Sequence, residues 1–217
     1  CIDTGDCSGP KSARNILFHP DVDAAVLETA RGGMLREGLG FDRCNVAIVT
    51  NIGMGDHLGM AYVNTAEELA AVKRIIVQNV ASSGYAVLNA ADPLVVDMAE
   101  HCPGSVIFFA RDNLHHPVLA TLHALHKRVI YLQGQHIVAS GENGEHKIAL
   151  KNIPLTQDGS IYFQIENAMA AIGAAWALGF DWKVIREGLS SFISDSQTAP
   201  GRFNLFNYRN ATLIADY

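Results

Sequence analysis

One continuous stretch constrains the fold more than any other: an apolar strand, a glycine-rich turn and an amphipathic helix. Residues 46–49, VAIV, have the composition of a buried strand, and three glycines follow in the turn. Glycine allows the backbone to turn sharply and to approach a ligand closely. The helix after the turn carries apolar residues at every third or fourth position, at Leu69, Val72, Ile76 and Val80. A strand, turn and helix in this order are typical of a parallel α/β sheet.

The same alternation continues along the chain. The strand around residues 46–49 is predicted to span 45–52, and further strands are predicted at residues 85–89 and 105–110, with a helix from Ala66 that Asn64 or Thr65 caps. Residues 129–132, 135–140 and 147–150 alternate around glycine-containing turns and predict small antiparallel strands. Helices follow at residues 166–179, which are rich in small residues that permit close packing, and at 181–192. We therefore predict an α/β fold with a mostly parallel, doubly wound sheet and a small antiparallel β layer.

Composition sets limits on partners and location. The 217 residues are 49% hydrophobic and 18% charged, which is typical of a soluble globular domain. The formal net charge of -6 argues against nucleic acid as a partner. No uninterrupted apolar run is long enough to predict a transmembrane helix, and no signal peptide is recognisable. The four cysteines form no CxxC pair, so we expect reduced thiols and a cytoplasmic protein.

The glycine-rich turn also carries candidate site residues. Asp56 and His57 lie in it, just beyond the carboxyl end of a strand, where open α/β sheets bind ligands. Lys73 lies on the following helix, one residue from its apolar stripe. A free lysine ammonium has no lone pair and cannot bind a metal. Lys73 at such a site would therefore be modified, deprotonated or bonded directly to phosphate.

A second acidic candidate, Glu28, ends residues 23–30, DAAVLETA, which are predicted to form a short buried strand. A buried carboxylate needs a partner. A salt bridge to Arg31 or Arg36 and a role as a Mg²⁺ ligand are equally compatible with the spacing. Arg31 with Gly32 and Gly33 could bind an anion, although a plain turn with a surface arginine is the more economical interpretation.

Two motif-like segments are weaker. Residues 5–12, GDCSGPKS, approach a phosphate-binding loop, but the spacing is short and Pro10 removes a backbone N–H; a helix beginning near Pro10 and running to about residue 18 is favoured. His116, His123 and His126 would share one helical face, yet no cysteine or carboxylate at ligand spacing completes a metal site. Solvated histidines are favoured over a metal site.

Three polar residues near the end of the chain complete the candidates. Asn167 opens the helix predicted at residues 166–179, where its amide could cap the helix or bind a ligand such as adenine. Arg202 lies in the turn TAPGRFN, and Asp216 ends the last strand. A surface ion pair for Arg202 and a strand-end acid for Asp216 are the simpler alternatives.

Several of these segments together resemble one family. They are LETARGG at 27–33, REGLGFDRC at 36–44, TN and DH around the central turn, LNAADP at 88–93, ENAMAA at 166–171 and PGRFN at 200–204. The sparser pattern is similar to the Mur ligase and folylpolyglutamate synthetase superfamily. The segments ARGG and REGLGFDRC resemble the Mur ligase-like half of the cyanophycin synthetases. This resemblance extends from about residue 3 to residue 217.

This resemblance implies an ATP-dependent amide ligase with ATP and Mg²⁺ as cofactors. Residues 1–208 would be the central ATP-binding domain without its N-terminal phosphate-loop strand, and 209–217 would begin a C-terminal domain. A carbamylated Lys73 would help to hold the metals. The implied metal and catalytic residues are Glu28, His57 and Lys73. The implied nucleotide-binding residues are Asn51, Asn167, Arg202 and Asp216.

The resemblance also implies substrates and partners. Arginine would be joined to an aspartate polymer, with no nucleic acid or membrane partner, and the full-length parent would be a homo-oligomer. No G-x-x-x-x-G-K-[ST] motif occurs in the sequence, so we expect a fragment that is inactive alone. The alternatives are another ligase of the superfamily, acting on peptidoglycan precursors or folates, and a non-catalytic nucleotide-binding or oligomerisation module.

Overall fold

The α/β prediction is confirmed by the computed structural model, which describes residues 7–53, 58–59, 62–209 and 211–216. Its main sheet has six strands in the order β1 to β6, so each strand lies beside its neighbour in sequence. The strands are β1 Cys44–Val49, β2 Val80–Asn89, β3 Ser105–Ala110, β4 Val129–Gln133, β5 His136–Gly141 and β6 Gly144–Ala149.

The pairing changes along the sheet. The first four strands are parallel, and β4, β5 and β6 pair antiparallel. The predicted small antiparallel strands are therefore present, and they extend the main sheet at one end. Two further strands, β7 Asn204–Tyr208 and β8 Ala211–Ala215, form a separate antiparallel hairpin.

Helices cover both faces of the main sheet. They are α1 Pro10–Leu17, α2 Arg31–Glu37, α3 Ala66–Gln78, α4 Pro93–Val96, α5 Pro117–Ala124, α6 Tyr162–Ala177 and α7 Trp182–Ser191. Successive strand residues point to opposite faces. Leu88 and Phe108 therefore pack with residues of α3 and α5, while Val87 and Phe109 pack with residues of α6 and α7.

The helix that carries Lys73 begins with a local signal. The Thr65 side chain accepts a hydrogen bond from the Glu68 backbone, and the Glu68 side chain accepts one from the Thr65 backbone. This capping box satisfies N–H groups that a helix start leaves without partners. Of the two predicted caps, Thr65 is the one used.

The predicted strand at residues 23–30 is wrong. Residues 24–30 have no regular structure, and most of them are exposed; Val26 is 101% exposed. A strand needs a hydrogen-bonded neighbour, and among the described strands β1 pairs with β2 alone. The apolar composition of the segment therefore does not place it in the sheet.

The helix predicted to begin near Pro10 is confirmed. Helix α1 starts at Pro10, in the first turn, where a missing N–H costs nothing. The turn expected at Arg31 is instead the start of α2. A Cβ on Gly33 would lie 2.8 Å from Cδ of Pro10, so the glycine allows α1 and α2 to pack closely.

No helix in the described ranges is both long and apolar enough to cross a membrane.

Candidate functional site

The candidate site lies where the carboxyl ends of the parallel strands meet. Asn51 follows β1 at this edge, and the Lys73 ammonium donates a hydrogen bond to the Asn51 carbonyl oxygen over 3.4 Å. Lys73 is half-buried. On α3 it lies one turn from each of the buried residues Leu69 and Val77. The prediction that Lys73 borders the buried face of its helix is therefore confirmed, and the contact brings it to the carboxyl edge.

Asp92 and Asn89 stabilise the loops at this edge, and neither residue was given a role from the sequence. The Asp92 carboxylate accepts a hydrogen bond from the Ile52 backbone over 2.7 Å and another from the Leu94 backbone over 3.0 Å. Buried Asn89 accepts one from the Ala91 backbone. Asp92 therefore ties the loop after β1 to the start of α4. The LNAADP segment indicates the helix start, since Asp before Pro is a common helix cap.

Glu28 lies in the extended segment between α1 and α2, with an exposed side chain. The salt bridge to Arg31 or Arg36 is not formed: for the residues that can be described, no hydrogen bond or ion pair holds its carboxylate. Its role as a metal ligand stays a prediction. Asp56 and His57 lie outside the described residues, so the predicted role of His57 also stays a prediction.

Asn167 lies in the second turn of α6, well inside the helix, which begins at Tyr162. The interpretation of Asn167 as a helix cap is therefore wrong. Its side-chain amide donates to the Gln164 side chain over 2.9 Å and is exposed. The side chain borders an apolar groove of about 430 Å³ between α6 and α7, with Ala171 and Phe180 among its walls.

Arg111 fixes the start of α6 at the carboxyl edge. It follows the last residue of β3, and its Nε lies 2.9 Å from the Glu166 carboxylate. The guanidinium carbon also lies 5.0 Å from the ring centre of Tyr162. An arginine directly after an apolar strand could have indicated a role at this edge, but its partner Glu166 lies 55 residues away and was not predicted.

An aromatic contact brings the end of the chain to the same helix. Phe203 packs edge-on against Phe163 of α6, with ring centres 5.0 Å apart. Its backbone N–H donates to the Asp216 carboxylate over 3.3 Å. Arg202, beside Phe203, therefore lies in the same region as Asp216 and the first turns of α6. Three of the four predicted nucleotide-binding residues, Asn167, Arg202 and Asp216, share this region; the fourth, Asn51, follows β1.

The loop before Arg202 is held by Asp195. Its carboxylate accepts hydrogen bonds from the Gln197 and Thr198 backbones, each over 2.8 Å. These backbone donors, with that of Thr198 contributing most, lower the pKa of Asp195 below its usual range. The carboxylate is therefore ionised at neutral pH and stabilises the turn that presents Arg202.

The histidines predicted to share one helical face differ in their positions: His116 is the N-cap residue of α5, His123 lies on it and His126 follows it. His123 lies 3.7 Å from the Glu145 carboxylate, and His126 has a positive φ of 55° just after the helix. Within the described ranges no group of three or more histidine, cysteine or acidic residues could hold a metal ion. The choice between solvated histidines and a metal site stays a prediction.

The chain matches the sequence model of a known protein family. The family model of the Mur ligase middle domain matches residues 10–175. The chain belongs to this family. The match covers both the Lys73 helix and most of α6, which are the elements that form the candidate site.

Curated relatives cover the whole chain. Cyanophycin synthetase from Synechocystis sp. is 42% identical over 219 residues, and that from Geminocystis herdmanii is 39% identical over 216 residues. Each match covers 100% of this chain and 25% of the relative. This Mur ligase middle domain thus spans about a quarter of the length of these relatives.

A solved structure supports the fold. MurF from Acinetobacter baumannii superposes with a TM-score of 0.65 at 18% identity, covering 98% of this chain and 43% of MurF. At this identity the similarity concerns the fold. It extends through the β7–β8 hairpin, beyond the residues matched by the family model.

Proposed function

We propose that this Mur ligase middle domain serves an ATP-dependent amide ligase that adds arginine to an aspartate polymer. The observation that carries the proposal is the similarity to cyanophycin synthetases over the full chain, at 42% identity to the Synechocystis protein. The placement of Lys73, Asn51 and Asn167 at one edge of the sheet supports it. The domain division at residue 208 remains part of the proposal.

In the proposed reaction, the substrate carboxylate attacks the γ-phosphorus of ATP and releases ADP. The arginine amine then attacks the resulting acyl phosphate, forming the amide and releasing phosphate and a proton. Bound Mg²⁺ would neutralise the charge on the phosphoryl oxygens. The chain's own residues would bind and orient the nucleotide.

The residues present suit a hard cation in part. Glu28 offers an exposed carboxylate, the ligand type that Mg²⁺ prefers, and no described partner occupies it. Lys73 as an ammonium would repel a cation, whereas a carbamate on Nζ would supply oxygen donors. We propose that Glu28, His57 and carbamylated Lys73 hold Mg²⁺.

The nucleotide would lie across the start of α6. The Asn167 amide offers both a donor and an acceptor for a base, and the apolar groove beside it would exclude water from a planar ring. Arg202 would pair with phosphate, and Asp216 would accept a hydrogen bond from ribose. The longer parent protein, as a homo-oligomer, would carry the activity.

The decisive experiment replaces Lys73 with alanine in the full-length parent and measures ADP release and arginine incorporation into an aspartate-rich primer. We expect at least about a 100-fold loss of turnover, the size typical of removing one group that stabilises transition-state charge. Lys151→Ala, at an exposed position just after β6 and five strands away from β1, is the matched control and should retain activity. Circular dichroism would verify that both variants fold.

The outcomes separate the parts of the proposal. Unchanged arginine incorporation by Lys73→Ala would remove Lys73 from the mechanism. ATP-dependent turnover without arginine incorporation by the native protein would point to another ligase of the superfamily. Carbamylation has its own test: a carbamate carbon signal from ¹³C-bicarbonate, present in the native protein, should disappear in Lys73→Ala.

A further inference from the structure

A second cavity lies at the opposite edge of the sheet, where the parallel strands begin. It has a volume of about 400 Å³ and is surrounded by the middle of β2, the starts of β3 and β4, the β5–β6 turn and the end of α6. We call it the amino-edge pocket and define it by Tyr85, Arg128, Glu142, His146, Trp176 and Trp182.

The amino-edge pocket is separate from the candidate site. Helix α6 runs from one edge to the other, with Glu166 near its start and Trp176 near its end. Ten residues at about 1.5 Å each place them roughly 15 Å apart. A ligand in the amino-edge pocket would therefore not contact the residues proposed to bind ATP.

Arg128 is held as a fixed positive charge in the wall of this pocket. Its guanidinium carbon lies 5.0 Å from the ring centre of Tyr85 and 4.8 Å from that of Trp176. Nη1 also donates to the Trp176 carbonyl over 3.3 Å. A guanidinium has five N–H donors, and this is the one hydrogen bond of Arg128 within the described residues. Oriented donors thus remain for a ligand.

The other wall is aromatic. The rings of Trp176 and Trp182 lie 5.5 Å apart, and His146 stacks on Trp182 with ring centres 4.0 Å apart. A Cβ on Gly141 would lie 3.1 Å from the Trp176 ring, so a glycine at this position allows the ring to sit against β5. Both indoles are half-buried, and planar faces therefore line the cavity.

The charges around the pocket favour an anion. Lys127, Arg128 and Glu142 line it, and the antiparallel pairing of β4 with β5 brings the three residues to the same end of these strands. Burial, and then nearby Arg186, lower the pKa of His146, while Asp181 raises it. His146 is therefore mostly neutral at pH 7, and the fixed charges of the lining are two positive and one negative.

We propose that the amino-edge pocket binds a small ligand that combines a planar ring with a phosphate or carboxylate. The ring would stack on the Trp176 and Trp182 faces, and the oxyanion would accept hydrogen bonds from Arg128 and Lys127. Arginine suits this role because its planar fork matches an oxyanion and stacks on aromatic rings. Nothing in the ligase reaction proposed above uses this pocket.

Fluorescence provides a direct test, because both tryptophans of the chain line the pocket. The chain would be titrated with AMP, which carries a ring and a phosphate, and with orotate, which carries a ring and a carboxylate. We expect a saturable change in tryptophan emission with at least one of them. The probe that binds identifies the oxyanion. Adenosine and inorganic phosphate should each bind at least about tenfold more weakly than AMP if AMP is the ligand.

Variants localise the binding. Arg128→Gln and Lys127→Gln should each raise the Kd about tenfold or more, since each removes a charged hydrogen-bond donor. Lys127 is exposed, so its variant keeps the test valid even if Arg128→Gln folds poorly. Lys151→Gln is the matched control and should leave the Kd unchanged.

Three results would overturn the proposal. The first is no saturable emission change with either AMP or orotate at millimolar concentration. The second is inorganic phosphate binding as tightly as AMP, because the aromatic wall would then recognise nothing. The third is a signal lost in Asn167→Ala but retained in Lys127→Gln, because binding would then belong to the candidate site at the other edge. None of these results depends on ligase activity.

Discussion

Tyr131 is a buried residue whose pKa is strongly raised. Its ring is buried, and its hydroxyl donates to the Glu145 carboxylate over 3.0 Å. Burial first, and then Glu145, raise the pKa of Tyr131 to about 12. The same hydrogen bond is the main cause that lowers the pKa of Glu145. The pair links two strands that flank β5, because Tyr131 lies on β4 and Glu145 on β6.

Tyr131→Phe should lower the free energy of unfolding by about 1 kcal/mol at pH 7, the typical net value of one hydrogen bond. Because the folded-state pKa of Glu145 is lowered, its contribution is present above its unfolded pKa. It is lost as pH falls through the folded pKa. The difference between native and variant should therefore shrink below about pH 4.

Urea unfolding at pH 7 and in acid would measure this difference. Tyr62→Phe, at a residue that is 95% exposed, is the control and should have little effect at either pH. A deficit for Tyr131→Phe that is constant across the acid range would contradict the assigned role of Glu145.

The site residues differ in how far sequence reasoning could place them. Lys73 was placed correctly beside the apolar stripe of its helix, because helical periodicity is local. The roles of Asp92 and Arg111 were not predicted. Their partners Ile52 and Glu166 lie 40 and 55 residues away in sequence. No local pattern encodes contacts of that range.

At the scale of elements, α3 depends on its cap. Thr65→Ala should destabilise the chain by about 1 kcal/mol, because the Glu68 N–H loses its acceptor at the helix start. Thr121→Ala is the matched control: Thr121 lies at an exposed position of α5, and its hydroxyl donates only to the Pro117 carbonyl one turn earlier. Such a bond contributes little, so we expect almost no change.

Thermal unfolding of the two threonine variants would measure both effects. If Thr121→Ala proved as destabilising as Thr65→Ala, the capping box would contribute nothing beyond the loss of a threonine. Hydrogen exchange at the first turn of α3 would add a local measurement, since the loss of the cap should increase exchange there.

The same contrast between local and distant signals explains which helices and strands were predicted correctly. The starts of α1, α3 and α7 were predicted because proline and capping side chains act within one turn. The strand predicted at residues 23–30 failed, because pairing depends on a neighbour that the segment itself does not specify. Asn167 was misplaced for a related reason: α6 begins earlier, at Tyr162, without a side-chain cap to signal its start.

At the scale of the whole molecule, the seating of α6 on the sheet determines one half of the core. A Cβ on Gly173 would lie 2.7 Å from a methyl group of Val87 and 3.3 Å from Ile130. Gly173→Ala should therefore destabilise the fold by about 1–3 kcal/mol through overpacking, despite alanine's better helix propensity. The small-residue composition of this helix had predicted such close packing.

Gly188 on α7 provides the matched control, since a Cβ there would meet nothing within 4 Å. Gly188→Ala should stabilise the chain by up to about 1 kcal/mol, because alanine has the higher helix propensity. Chemical denaturation of both glycine variants would measure the contrast. Equal effects of the two substitutions would contradict the observed close approach of α6 to β2.

The fold class was predictable because apolar strands alternate with helices along the chain, and this alternation favours a parallel sheet. The way in which β4, β5 and β6 join the other strands of the main sheet was not predictable. Their antiparallel pairing followed from short glycine turns, but the parallel pairing of β4 with β3 required knowledge of where α5 returns the chain. That return depends on packing across the sheet, to which Leu119 of α5 contributes as a fully buried residue.

The strand order has a consequence for synthesis on the ribosome. Every strand of the main sheet pairs with the next one in sequence, so each newly made strand can dock on an edge that already exists. Helix α6, however, is made only after all six strands. Until it emerges, the face that contains Ile107 and Phe109 lacks its cover. We therefore expect this apolar face to be open to solvent, and to chaperones, until residue 177 has been made.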